Sequence, residues 1–321
     1  MSKISNVWVF SDKADRYADL IAGARQLGER VNAVISDEAD VSLVRQADAV
    51  WLLGGKSDHQ RPENYAQTLA EQIKGTNEKT VVLLAATRRG KGLAAKLSVL
   101  LQAALVNDVT LLEYHDSALY AEHRMYGGLA FGRERVNTPI AVITLAGGVF
   151  EPLAEDNAST PPLTPVDYIA PADEILCRER RAKTTSSVDL GKARRVIGIG
   201  RGLLAKDDLQ MVWNLASALD AEVGCSRPIA EGEHWMDRER YVGVSGVLLK
   251  SDIYLALGIS GQIQHMVGGN GARTIIAVNK DKNAPIFQYA DYGLVGDIYK
   301  VVPGLTAVSY THLTLPTKRI V

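Results

Sequence analysis

The sequence predicts an α/β protein of two domains, each a mostly parallel, Rossmann-like sheet flanked by helices. Three observations predict it. Short β-branched apolar runs alternate with amphipathic helical patterns along the chain, as they do in βαβ units. The strand candidates are apolar almost throughout, which suits sheets covered on both faces. The length of 321 residues matches two domains of about 150 residues each, enough for each to bury its own core.

Composition narrows the function classes. With 46% hydrophobic and 23% charged residues, the chain has the apolar content of a folded globular protein, which argues against disorder. Its 36 basic and 37 acidic residues leave a net charge of −1, so no whole-molecule field draws in nucleic acid or an anionic membrane. Two cysteines, Cys177 and Cys225, make no disulfide framework, and no CxxC pair points to metal or thiol chemistry. No apolar run approaches the roughly 18 residues of a membrane span. The opening MSKISNVWVFSD lacks the apolar stretch of a signal peptide and runs directly into a strand pattern. The expected setting is the reducing cytoplasm.

The first domain, residues 1–185, carries strand candidates VWVF (7–10), VNAVI (31–35), AVWLL (49–53), TVVLLAA (80–86), VTLLEY (109–114) and PIAVITLA (139–146). Helical patterns such as RYADLIAGARQLGERV and GLAAKLSVLLQAAL lie between them. The prolines Pro152, Pro161, Pro162, Pro165 and Pro171 then mark 151–175 as an exposed connection. The charged run RERRAK that follows reads as solvated surface, and TTSSVDL as linker.

The second domain, 186–308, begins with RRVIGIGRGL and a helix through DDLQMVWNLASALD. It continues with AEVGCSR, DIYLALGIS, TIIAVNKD, APIFQYADYG and IYKVV, read as further strands. Glycines and short polar residues gather where these strands end, and in open α/β sheets ligands bind at that edge. The first half lacks such a cluster, so the ligand is expected on 190–305. The last stretch, SYTHLTLPTKRIV, has a different texture, and 309–321 reads as a non-native tail.

Four small turns carry the chemistry. Gly198-Ile199-Gly200-Arg201-Gly202-Leu203 imitates a dinucleotide fingerprint but has Leu203 where GxGxxG needs glycine. Alone it is equally a tight strand-to-helix turn, although Arg201 in its midst suits phosphate or an electron-rich ring. Gly224-Cys225-Ser226-Arg227 sets a hydroxyl beside a guanidinium, and Val242-Gly243-Val244-Ser245-Gly246 offers another hydroxyl. In Gly258-Ile259-Ser260-Gly261-Gln262-Ile263-Gln264-His265, Ser260 is expected to cap a helix open to an anion. Gln262, Gln264 and His265 would follow in its first turn. His265 alone also suits a half-buried structural histidine. Asn279 and Asp297 add polar groups at the next strand ends.

Other candidates carry less. TRRGKGL (87–93) lacks the GxxxxGK[ST] frame of a phosphate loop and reads as a basic helix start. No HExxH, GxSxG or spaced Cys/His set is present. His115 and His123 have no acidic partner in the pattern.

The run IYLALGISGQIQHMVGGNGARTIIAVNKDKNAPIFQYADYGLVGDIYKVVP, roughly fifty residues long, resembles the C-terminal flavin-binding signature of electron transfer flavoprotein α-subunits. The likeness extends through GRGL, GCSRP and RYVGVSG, and the looser N-terminal half also fits. SNVWVFSD and the GVSG loop are most similar to the FixB-like branch. The resemblance implies FAD on the C-terminal domain. Arg201 and Ser226 would contact it, with Arg227 packed beside the isoalloxazine. The loop Val242, Gly243, Val244 and Ser245 would border the ring, Ser245 standing where the family hydroxyl bonds flavin N5. Ser260, Gly261, Gln262, Ile263, Gln264 and His265 would bind the pyrophosphate and ribityl region, with His265 reaching toward the pyrimidine edge. Asn279 and Asp297, with Ile298 beside it, would hold the adenosine half. Val244 departs from the glutamine of many members, and Ser245 from the more usual threonine.

The implied role is that of an electron carrier without substrate chemistry of its own. It would pair with a FixA-like β-subunit and exchange electrons with an acyl-CoA-type dehydrogenase or similar partner. Two other readings stay open on the sequence: a stand-alone flavin or nicotinamide oxidoreductase, and a nucleotide-binding regulatory module.

Overall fold

The computed structural model describes residues 3–55, 60–75, 78–126, 130–154, 161–179, 181 and 188–314. The chain divides into two compact units: Met1–Met125 with Ala130–Ala182, and Tyr126–Leu129 with Lys183–Val321.

The first unit is built on a nine-stranded sheet. Its strands are β1 (Ile4–Phe10), β2 (Gly28–Ile35), β3 (Ala49–Leu53), β4 (Thr80–Ala85), β5 (Ala104–His115), β6 (Ala118–Met125), β7 (Ala130–Val136), β8 (Ile140–Leu145) and β9 (Leu163–Val166). Their order is β7-β6-β5-β8-β4-β1-β2-β3-β9, with antiparallel pairing only at β5-β6 and β6-β7. The helices are α1 (Tyr17–Leu27), α2 (Ala66–Lys74) and α3 (Arg88–Leu101). Alternation along β1 sends Val7 and Val9 to one core, with Leu20 and Ile21 of α1. Trp8 and Phe10 go to the other, with Leu69 of α2 and Leu93 and Leu97 of α3. TRRGKGL is a helix start: Thr87 Oγ1 accepts from Gly90 N at 2.8 Å.

This unit differs from the sequence expectation at its antiparallel edge and in its proline-rich connection. The hairpin β6-β7 has no counterpart among the expected strands, because ALYAEHRM and AFGRERV mix charges into the alternation that marks a buried strand. His123 finds an acidic partner there, its Nε2 lying 3.0 Å from Glu134 Oε1 across the hairpin. Part of the proline-rich connection is strand β9, which pairs in parallel with β3 and sets Pro165 opposite Leu52. Proline is tolerated there because an edge strand has a side with no ladder partner to serve.

The second unit holds a five-stranded, all-parallel sheet of β10 (Arg195–Ile199), β11 (Glu222–Cys225), β12 (Ile253–Leu257), β13 (Thr274–Asn279) and β14 (Tyr292–Val295). The order is β11-β10-β12-β13-β14. Helices α4 (Leu209–Leu219) and α6 (Ile298–Thr314) pack on Ile197, Ile199, Leu255 and Leu257. The opposite face, with Val196, Tyr254 and Ala256, receives Met266 of α5 (Ile263–Gly269). Both faces are covered, so the strands are apolar throughout. IYKVV, expected as a strand, opens helix α6, because Asp297 and the 3.6-residue spacing of Ile298 and Val302 turn it toward α4. The APIFQYADYG run divides into a short 3₁₀ turn, Pro285–Gln288, and the start of β14.

Helix α6 continues without a break at 309 as far as Thr314, while 315–321, the rest of the expected tail, lie outside the described residues. So does most of TTSSVDL, and with it part of RERRAK. Among the described residues no helix is long and apolar enough to cross a membrane, and no group of three His, Cys, Asp or Glu is placed to hold a metal.

Candidate functional site

Strand β10 is the first of its sheet and pairs with β11 on one side and β12 on the other. The connections from β10 and from β12 cross opposite faces, through α4 and α5. The strand order thus reverses between β10 and β12, and in open α/β sheets ligands bind outside the carboxyl ends of the strands at such a point. Register sets what lines it. Ile199 lies opposite both Cys225 and Leu257, and Leu257 opposite Val278. The next residue on each strand, Gly200, Ser226, Gly258 and Asn279, therefore falls on one rim. Ladder-like bonds run one step past the strands: Gly200 N to Leu257 O at 3.0 Å, Ser226 N to Ile199 O at 2.8 Å, and Gly258 N to Val278 O at 2.9 Å.

Two glycine turns interlock at that rim. Gly202 N donates to Gly258 O at 3.0 Å, and Gly258 has φ +62°. A Cβ on Gly202 would stand 2.5 Å from Gly258 Cα, and one on Gly258 would stand 2.7 Å from Gly202 Cα. Only two bare backbones fit so closely. Leu203, which breaks the dinucleotide fingerprint, is buried against α4 and carries packing where the fingerprint would have its third glycine. Arg201 projects from this turn, exposed.

Ser226 is half-buried, and its carbonyl accepts from Ile229 N at 3.0 Å. Arg227 is exposed, with Nε donating to Glu231 Oε2 at 2.6 Å. Cys225 beside them is a buried structural thiol whose pKa burial pushes up to about 12, far from a reactive thiolate.

In the GVSG loop, Gly243 N donates to Val247 O at 3.2 Å and Gly246 N to Gly243 O at 3.0 Å. Val244 N donates to Gln264 O at 2.7 Å, docking the loop on the first turn of α5. Val244 and Ser245 are exposed, while the Val242 side chain is fully buried and leaves only its backbone for a ligand.

The GISGQIQH stretch differs from expectation in two ways. The residue at the N-cap of α5 is Gln262, which makes no side-chain cap bond. Ser260 sits two residues too early, because Gly261, at φ +84°, turns the chain between them. Ser260 is exposed, and its carbonyl is held by Ile286 N at 3.0 Å. Gln262 and Gln264 are exposed and Ile263 half-buried. The second difference is His265, which is only 7% exposed and meets the Tyr254 hydroxyl at 2.7 Å through Nε2. Its Nε2 edge thus faces the packed layer between α5 and the sheet. The bare Cα atoms of Gly198 and Gly269 leave the room there that Tyr254 fills. Desolvation lowers the His265 pKa to about 4, the Val242 backbone acting weakly the other way, so the ring is neutral near pH 7. Its Nδ1 is buried without a hydrogen-bond partner of good geometry.

Asn279 Nδ2 donates to Ile259 O at 2.8 Å, and its Oδ1 accepts from Asp281 N at 3.0 Å. Its amide braces the rim from β13. Asp297 is exposed, and its Oδ1 accepts from Tyr299 N at 3.0 Å at the head of α6. Ile298, by contrast, points into the core at 5% exposure, so its side chain is no ligand contact.

The structure thus gathers Arg201, Ser226, Ser260 and Asn279 along one rim, with the GVSG loop docked on α5 beside it. Sequence reasoning missed Tyr254 and Glu231. Tyr254 lies within an apolar strand, where a phenol reads as core. The signal for Glu231 was its i+4 spacing from Arg227. The site fits an extended dinucleotide such as FAD: bare backbone at Gly200, Gly202 and Gly258 marks the place where the ends of β10 and β12 meet, and exposed Arg201, Ser260, Gln262 and Gln264 supply a cation and hydrogen-bond donors beside it.

Comparison with known proteins agrees. Residues 189–270 match the electron transfer flavoprotein FAD-binding domain, and 12–170 the electron transfer flavoprotein domain. A protein named as an electron transfer flavoprotein subunit, YdiR of Escherichia coli (strain K12), is 61% identical over 307 residues, covering 95% of this chain and 98% of that one. Protein FixB of Salmonella typhi is 49% identical over 309 residues, covering 96% of this chain and 99% of its own.

Proposed function

The chain belongs to the electron transfer flavoprotein family, as an α-subunit of the FixB kind with an FAD-binding domain, and from that premise we propose how it works. It forms a heterodimer with a FixA-like β-subunit and relays electrons in the cytoplasm from an acyl-CoA-type dehydrogenase, or a similar partner, to an acceptor. It carries electrons and transforms no substrate of its own.

The observation that supports this reading most is the row of strand ends at the topological switch point, carrying hydrogen-bond donors and guanidinium groups. Bound FAD supplies the capacity to take up and release one or two electrons. The chain's residues bind and orient it. Arg201, Ser226 and Ser260 with Gly261 and Gln262 hold the phosphate and ribityl region by charge-assisted and neutral hydrogen bonds. Asn279 and Asp297 border the adenosine half, Asn279 chiefly by bracing the turn at Ile259. The backbone of Val242 and Gly243 with Val244 and Ser245 lines the ring, and Ser245 offers a hydroxyl to it. Arg227 sets positive charge beside the ring, where fixed charge favours the electron-rich form. His265, neutral and held on Tyr254, presents the ring region with an uncharged edge.

Expression of the chain with and without its β-subunit, followed by visible absorption spectra, tests the proposal. A yellow heterodimer with one FAD on this chain is expected. A colourless complex holding AMP alone would point to a regulatory nucleotide module. NADH oxidation by the isolated chain would point to a self-contained oxidoreductase.

A further inference from the structure

The guanidinium of Arg227 is not free. After β11 the chain makes a single π-helical turn, Pro228–Gly232, which sets Glu231 over Arg227. Arg227 Nε donates to Glu231 Oε2 at 2.6 Å, and Arg238 Nε approaches the other oxygen, Oε1, at 3.4 Å. One carboxylate thus lies between two guanidinium groups. The backbone beneath is anchored: Ile229 and Ala230 are buried, at 0% and 5% exposure, and Glu233 N closes the turn on Pro228 O at 2.8 Å.

We propose that Glu231 is a positioning residue for Arg227, tethering the guanidinium at Nε so that its remaining N–H groups stay directed at the flavin site. The inference rests on the role of Arg227 beside the ring given above. An arginine with a 66% exposed side chain otherwise samples many rotamers, and a mobile cation favours the reduced flavin less than a fixed one. The pair itself adds little to stability, since water screens an exposed ion pair. Its effect is on direction. The guanidinium fork has five N–H donors, so one bound at Nε leaves the others available. Glu231 is held ionised by Arg227, below the usual carboxylate range.

A double-mutant cycle on the flavin potential of the FAD-loaded heterodimer tests this, because a direct field of Glu231 on the ring cancels in the cycle. Arg227→Ala is expected to lower the potential. In a Glu231→Ala background the same replacement is expected to lower it by about half as much or less. Glu231→Gln, which keeps an acceptor oxygen, gives an intermediate coupling and serves where Glu231→Ala retains too little FAD to measure. If Arg227→Ala lowers the potential equally with and without Glu231, the tether is wrong while the role of Arg227 stands. If Arg227→Ala leaves the potential unchanged in the parent protein, the role of Arg227 at the ring fails, and the tether with it.

Discussion

The hydroxyl of Tyr254 on β12 lies 2.7 Å from Nε2 of His265 on α5, and the two rings sit 6.1 Å apart at 33°. Tyr254 is fully buried, and burial raises its pKa beyond any physiological range, so the phenol keeps its proton. With that proton donated to Nε2, the histidine carries its own hydrogen on Nδ1. The pair joins the sheet to the first turn of the helix that bears Gln262 and Gln264.

Acid should destabilise the C-terminal domain through His265. Its folded pKa of about 4 lies below the 6.5 of an unperturbed histidine. Above 6.5 neither state is protonated and the full stability is present. As pH falls toward 4, the unfolded chain takes a proton that the folded one refuses, and stability drops. The loss amounts to about 3 kcal/mol at most. Urea denaturation of the parent and of His265→Gln at pH 7 and pH 5 checks this. The replacement should flatten the pH dependence, and an equal slope in both proteins would refute the assignment.

Tyr254→Phe should cost about 1–3 kcal/mol, because it leaves Nε2 buried without its partner. Thermal unfolding reads the loss. The FAD content of the purified heterodimer tells whether the histidine also shifts, and a variant as stable as the parent would show that the hydrogen bond adds nothing.

Gly258→Ala should damage the rim more than a typical surface change. The new methyl would meet Gly202 Cα at 2.7 Å, and φ +62° strains any residue with a Cβ. Backbone in that region costs about 1–2 kcal/mol for alanine, before the contact is relieved. Lower FAD occupancy with a lower Tm is expected. Full occupancy at unchanged Tm would show that the two turns can separate.

Asp297 separates two roles. Asp297→Ala removes the acceptor for Tyr299 N at the head of α6 and should cost about 1 kcal/mol. Asp297→Ser keeps a capping oxygen and should restore most of that stability. FAD titration of the two variants then reports on the adenosine half. Weaker binding by the serine variant supports a ligand contact for the carboxylate, and parent-like binding limits Asp297 to the helix cap.

The parallel strands were legible because both their faces are covered: VWVF, TVVLLA and IYLAL carry unbroken apolar character that little but a buried strand needs. The rim was legible for a related reason, since glycines and hydroxyls at the end of an apolar run mark the point where the buried strand gives way to a turn. Harder to read were elements whose partner decides them. AFGRERV is a strand because β6 lies beside it, and LTPV is one because β3 has a free edge to offer. IYKVV has a strand's composition, yet the surface of α4 makes it a helix.

Residue types and their order along the chain determined the family, the cofactor and which turns meet at the switch point, because the register of a parallel sheet carries strand ends to one edge. Tertiary structure alone decided which way side chains turn once there. Ile298 and Val242 fall inward because core packing claims their apolar bulk. Ser260 loses the cap to Gln262 because Gly261 bends the chain between them. His265 turns to Tyr254 because a buried ring nitrogen needs a partner, and the partner lies on the strand beneath its helix, eleven residues earlier in sequence.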